Sequence, residues 1–190
     1  MFILKKEYFF IIESINELKF KNIKKLNKFS IIYRNDNTEN ISKLKLFRLN
    51  CKNRKIPFFV ANNISLMNAI KADGLYISAY NKSLNIRKIK RNNYKIIGAA
   101  HNIKEVNLKK LQGCSKIFFS RLFQTNYKNK KGFLGIIRFN LIARLINTSL
   151  IPLGGINLNN ISKLNLVSSE SVAFSSIMKN NPSETLKILR

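Results

Sequence analysis

The chain has 190 residues, with 35 Lys and Arg against 9 Asp and Glu, giving a formal net charge of +26. An apolar share of 45% excludes a chain that is only a disordered basic tail. The apolar runs are short and interrupted by Lys, Asn or Ser, which excludes a helix spanning a bilayer. The opening stretch MFILKKEYFFIIESI carries Lys5, Lys6, Glu7 and Glu13 and has no small-residue cleavage site, so it does not read as a signal peptide. Cys51 and Cys114 lie far apart and form no motif. They point to a reducing compartment, with neither a disulfide scaffold nor a zinc site. A cytoplasmic location is the expectation.

The charge alone suggests a polyanionic partner. Its distribution argues otherwise. The 27 Asn and 27 Ile accompany abundant Lys, and all three have AT-rich codons, so base composition suffices to produce the bias. The basic residues are dispersed, and no nucleic-acid motif accompanies them. The carboxylates are more telling. Asp36 and Asp73 are the only aspartates, so a two-metal or paired-carboxylate site has very few residues to draw on.

Eight short apolar runs read as strands buried on both faces. They are Tyr8–Ile12, Phe29–Arg34, Pro57–Ala61, Gly74–Ile77, Tyr94–Ala99, Lys116–Ser120, Leu150–Leu153 and Ser171–Ser175. Helix-like stretches lie between them. In Asn63–Lys71, the side chain of Asn62 or Asn63 is placed to cap the start. In Leu134–Asn147, the spacing puts Leu134, Ile137, Leu141 and Leu145 on one apolar face. No linker or composition break divides the chain, so residues 1–190 read as one domain. Strict alternation predicts an α/β fold, a compact (β/α)8 TIM barrel. A doubly wound sheet needs a glycine-rich first turn, and Glu13-Ser14-Ile15-Asn16 has none.

Such barrels do their chemistry where strands end, and often hold phosphate after strands seven and eight. Strand seven runs into Gly154-Gly155, whose backbone can approach an anion closely. Strand eight runs into Ser175-Ser176, with hydroxyls and amides to donate. Arg34 closes strand two, where a guanidinium suits phosphate oxygens. After strand six, Arg121 to Gly132 reads as a basic lid, with Lys128 as a phosphate partner. His101, the single histidine, lies past strand five at the rim, with Glu105 one helical turn on. The cysteines read as packing residues.

In order along the chain, Ala72-Asp73-Gly74-Leu75-Tyr76-Ile77 is similar to ADGVHL, and Ile96-Ile97-Gly98-Ala99 to IIGVS. Phe123-Gln124-Thr125-Asn126-Tyr127-Lys128 is similar to FPTPTK, Leu153-Gly154-Gly155-Ile156 to IGGI, and Val172-Ala173-Phe174-Ser175-Ser176 to VAVVS. These pieces resemble the thiamine phosphate synthase and TenI-like family. The resemblance implies coupling of a pyrimidine pyrophosphate to a thiazole phosphate, with Mg²⁺-assisted release of pyrophosphate. It implies that Arg34 and Lys128 serve the pyrophosphate, that Gly155 and Ser176 hold the thiazole phosphate, and that Thr125 contacts the thiazole side.

The departures fall on the metal half. The family's Gln-x-Arg-x-Lys is Ile32-Tyr33-Arg34-Asn35-Asp36, its two metal-binding aspartates match Asn62 and Asn81, and its serine after strand five matches Ala100. The histidine that some relatives carry ahead of the lid matches Arg121. An uncharged amide is a poor Mg²⁺ ligand, so Mg²⁺ dependence is expected to be weak or absent. Arg121, Lys128, Lys130 and Lys131 are cations to set in its place. Three readings follow. The first is a synthase with an altered leaving-group site, and the second a related barrel that binds a phosphate ester without synthase activity. The third, disfavoured by the dispersed charge, is a nucleic-acid binder.

Overall fold

The computed structural model describes residues 7–18, 28–35, 39–86, 94–125 and 132–177. Eight strands carry the fold: β1 Glu7–Ile12, β2 Phe29–Tyr33, β3 Phe58–Ala61, β4 Gly74–Ile77, β5 Lys95–Ala100, β6 Lys116–Ser120, β7 Ser149–Leu153 and β8 Ser171–Phe174. The helices α1 Ile41–Asn53, α2 Ile64–Ala69, α3 Ile103–Leu111 and α4 Gly135–Leu145 lie between strands, as do short 3₁₀ turns at Ile15–Glu17 and Ile161–Leu166. Every ladder is parallel, and the order β7-β6-β5-β4-β3-β2-β1-β8 brings β1 against both β2 and β8. The two ends of that order, β7 and β8, are neighbours in space. The sheet is a nearly closed (β/α)8 barrel, as the alternation predicts. No helix among the described residues is long and apolar enough to cross a membrane.

Each strand is buried on both faces because side chains alternate. All eight strands contribute to one apolar cluster in the lumen, which includes Phe9, Ile32, Phe59, Tyr76, Phe118 and Ile151. Phe9 meets Phe118 edge-on at 5.1 Å, and Tyr76 lies 5.5 Å from the same ring. The opposite faces, including Phe10, Tyr33, Phe58 and Phe119, pack against Leu44, Met67, Val106 and Phe139 of the helices. At the N-terminal floor Glu7 pairs with Lys116 across the barrel and accepts from Ser30 Oγ at 3.2 Å.

Asparagine opens three of the helices. Asn40 Oδ1 accepts from the Ser42 and Lys43 amides, Asn63 Oδ1 from Leu66, and Asn102 Oδ1 from Glu105. Of the two caps expected for α2, Asn63 takes the role. Asp73 of the ADG motif sits at the N-terminal end of β4, away from the mouth. It accepts from Arg48 Nη2 and from the Phe58 amide, both at 2.7 Å, and so ties α1 to β3.

One expectation is corrected. The face of α4 bearing Ile137, Leu141 and Leu145 looks outward, and these residues are 77%, 54% and 85% exposed. The helix instead buries Phe139, 6.4 Å from Phe119, with Ile136, Ile142 and Ala143 beside it. This helix is apolar on nearly every side, so periodicity does not choose its phase. The backbone does: the Leu134 and Gly135 amides donate to the Arg121 and Leu122 carbonyls and fix how α4 leaves the lid root.

Phe118 stands at the centre of the lumen, fully buried. Phe118→Ala is expected to cost about 3–5 kcal/mol of stability through lost burial and a cavity. Urea unfolding should show a lower midpoint at unchanged slope.

Candidate functional site

A cavity of about 620 Å³ opens at the C-terminal end of the barrel. That volume suits a small ligand. Ile11 of β1 and Leu153 of β7 give it an apolar floor above the lumen. Its walls come from residues just past the strands: Arg34 after β2, Tyr80 after β4, His101 after β5 and Arg121 after β6. Gly154 and Gly155 follow β7, and Ser175 and Ser176 follow β8. Thr125 completes the set from the lid root. Residues singled out in the sequence on five different loops, those after β2, β5, β6, β7 and β8, therefore meet in one cavity. Lys128 lies outside the described residues. A larger hollow of about 860 Å³ lies at the opposite end, beside Glu7, Lys116 and Ser169, on the face that serves stability in these barrels.

The glycine turn is required by its surroundings. Gly155 has φ +72°, and a Cβ there would fall 2.3 Å from the Phe123 carbonyl oxygen. The Phe123 amide donates to Gly154 O at 3.0 Å, and Asn160 Nδ2 donates to Gly155 O at 2.8 Å. The turn is thus locked to the segment just after β6. Arg121 packs over Gly154 and donates from Nη1 to Thr125 Oγ1 at 3.1 Å.

Arg34 donates from Nη2 to Glu13 Oε1 at 3.2 Å, an exposed pair, and also bonds the Tyr76 hydroxyl from above. Burial pushes the Tyr76 phenol up to about 12, against the opposing effect of Arg34, so it stays protonated. Glu13, Tyr76 and Tyr80 were not singled out as site residues. The signal for Tyr76 was its match to the histidine of ADGVHL. Glu13 was marked only by its place after strand one.

Asn62 and Asn81 do not line the cavity. Asn62, at φ +54°, accepts on Oδ1 from the Ser78 amide at 3.0 Å and from Asn81 Nδ2 at 3.4 Å. Asn81 Oδ1 accepts from the Ser83 amide at 3.1 Å. Both side-chain oxygens are therefore spent on N–H donors, and neither carries charge. This donor set does not fit a Mg²⁺ ion. Among the described residues no three His, Cys, Asp or Glu come together. A buried lysine braces this loop from behind. Lys109 Nζ donates to Ser78 O, Asn81 O and Gln112 Oε1 at 2.7–2.9 Å. Burial depresses its pKa, opposed by the charge of Glu105. Gly98 leaves room for its stem, since a Cβ there would meet Lys109 Cδ at 3.0 Å.

His101 and Glu105 form a rim pair. The His101 amide donates to Glu105 Oε2 at 2.7 Å, and ring Nδ1 lies 3.1 Å from the same oxygen. Asn102 Nδ2 donates to Oε1 at 3.0 Å. Partial burial opposes ionisation of Glu105, but these hydrogen bonds outweigh it and hold the carboxyl below its usual range.

Comparison with known proteins agrees with this fold. The site belongs to a (β/α)8 barrel with its polar groups gathered at the C-terminal mouth. A thiamine monophosphate synthase family model matches residues 23–178, and the chain belongs to that family. The thiamine-phosphate synthase of Prochlorococcus marinus is 29% identical over 124 residues, 65% of this chain and 36% of that protein. That of Fusobacterium nucleatum is 25% identical over 123 residues, 64% of this chain and 60% of that protein. The matched stretch thus spans between about a third and three fifths of these relatives' length. The solved thiamine phosphate pyrophosphorylase of Pyrococcus furiosus superposes with a TM-score of 0.77 at 17% identity, over 97% of this chain and 94% of that one. At that identity the likeness concerns the fold.

Two predictions follow from this geometry. Gly155→Ala should lower the thermal midpoint and loosen the lid root, because φ +72° and the Phe123 carbonyl both oppose a Cβ. Protease sensitivity in the segment after β6 provides the check. Burial also raises the Cys51 and Cys114 thiols from 9.0 to about 12. Their preference for the thiol form is fully present below about pH 9 and is lost as pH rises toward about 12. A thiol reagent at pH 8 should leave both unlabelled in the native protein and label both in guanidinium.

Proposed function

We propose that the protein is a thiamine phosphate synthase-like transferase, joining a pyrimidine carried on pyrophosphate to a thiazole phosphate. The observation that carries the reading is one cavity in which Arg34, Arg121, Thr125, Gly154, Gly155, Ser175 and Ser176 converge above an apolar floor. Arg34 binds the pyrophosphate, braced by Glu13 and Tyr76, and Arg121 adds a second positive charge. The backbone amides of Gly155 and Ser176 hold the thiazole phosphate, and Thr125 contacts the thiazole. Lys128 would assist the pyrophosphate from the lid.

In the reaction the carbon–oxygen bond to pyrophosphate breaks and its electron pair leaves with pyrophosphate. The thiazole nitrogen then donates its lone pair to the pyrimidine methylene. Charge builds on the leaving oxygen, where guanidinium groups held in advance stabilise it. The floor at Ile11 and Leu153 keeps water from the cationic carbon. Asn62 and Asn81 are committed to each other and to the backbone, so the guanidinium groups carry this stabilisation.

That same Asn62–Asn81 contact favours a second reading, in which the barrel binds a thiazole phosphate or another small phosphate ester without synthase activity. One experiment separates them. Protein is mixed with pyrimidine pyrophosphate and thiazole phosphate, with and without Mg²⁺, and thiamine phosphate is quantified by its fluorescent oxidised derivative. Product is expected, and Arg34→Ala should lower the rate by about 10²-fold or more. Thiazole phosphate binding in calorimetry without product at high protein concentration supports the second reading and overturns the first.

A further inference from the structure

We propose that His101 is a proton-gated anion ligand of the mouth cavity. Its imidazolium would donate Nε2–H to a phosphate or pyrophosphate oxygen, and would take the place of part of the charge that a metal supplies elsewhere. The inference rests on reading the cavity as a phosphate site. His101 lines that cavity together with Arg34 and Arg121. Its orientation is built in. Glu105 is held by the His101 amide, by Asn102 and by its own amide on Asn102 Oδ1. The carboxylate so fixed lies 3.1 Å from Nδ1. On the other side the Tyr80 ring stands 6.2 Å from the imidazole.

A carboxylate at Nδ1 selects the tautomer that carries its proton there. In the neutral ring Nε2 then has a lone pair, which repels an anion. Only the protonated ring offers an N–H at Nε2. Anion binding through this atom is therefore coupled to the uptake of one proton, and Glu105 balances the charge when the anion is absent. The charged and titratable groups around the ring are Glu105 on the helix that follows it, Tyr80 after β4, Arg34 with Glu13 after β2 and β1, and Arg121 after β6.

The test is calorimetric binding of inorganic pyrophosphate between about pH 5.5 and 8.5 to the wild-type protein, His101→Asn and Glu105→Gln. The probe's own titration cancels in the ratio of wild-type to variant affinity. The wild type should bind about tenfold or more tightly than His101→Asn at the acid end, and the two should converge at the alkaline end. Glu105→Gln should move that transition to lower pH. A ratio that stays constant across the range overturns the proposal even where binding is strong. Failure of wild-type protein to bind pyrophosphate at any pH overturns both this proposal and the phosphate-site reading. Binding that is abolished by Arg34→Ala, with a flat ratio for His101→Asn, leaves the phosphate site standing and removes His101 from it.

Discussion

The structure depends on burial of one parallel sheet on both of its faces. Eight strands of four to six residues surround a lumen packed by Phe9, Phe59, Tyr76 and Phe118. Their outer faces must then be covered by helices, and alternation of strand and helix follows. That constraint also fixes the site. Once the lumen is filled with aromatic rings, it is no pore, and the one place left for polar chemistry above it is the rim where the strands end. Arg34 marks the boundary, because its guanidinium reaches down to a Tyr76 hydroxyl that belongs to the lumen.

Strand positions were legible because a strand buried on both faces is a continuous apolar run with polar stops. Four of the cavity-lining positions were legible for the same reason, since each is the first polar or glycine residue past such a run. Arg34, His101, Gly154 and Ser175 were found by counting from strand ends. The phase of α4 was not legible, because Ile137 and Phe139 are equally apolar and only the backbone bonds to Arg121 and Leu122 decide between them. Partners far apart in sequence were also hidden. No local pattern joins Lys109 to Ser78 and Asn81, or Asp73 to Arg48 and Phe58.

Composition and structure meet at asparagine. A chain this rich in Asn reads at first as a product of base composition. Yet Asn40, Asn63 and Asn102 cap helices, and Asn62 and Asn81 fasten two mouth loops together. At the positions that the resemblance matches to metal-binding aspartates, this chain has amides that hydrogen-bond each other and the backbone. The loops are held in place by the protein itself. Two guanidinium groups, those of Arg34 and Arg121, line the cavity.

The hydrogen-bonded order begins at β7 and ends at β8. These strands touch, and the Ser169 hydroxyl clips them near the floor by donating toward Leu150 O and Ser171 O, both at 2.9 Å. Every other neighbouring pair of strands is laced by a ladder. The barrel is therefore mechanically uneven around its circumference. Under heat or tension this seam is the first to part, and β7 and β8 are the strands that lead into Gly154-Gly155 and Ser175-Ser176. Compliance is concentrated between the two turns that line the cavity, while the lumen that supports them stays rigid.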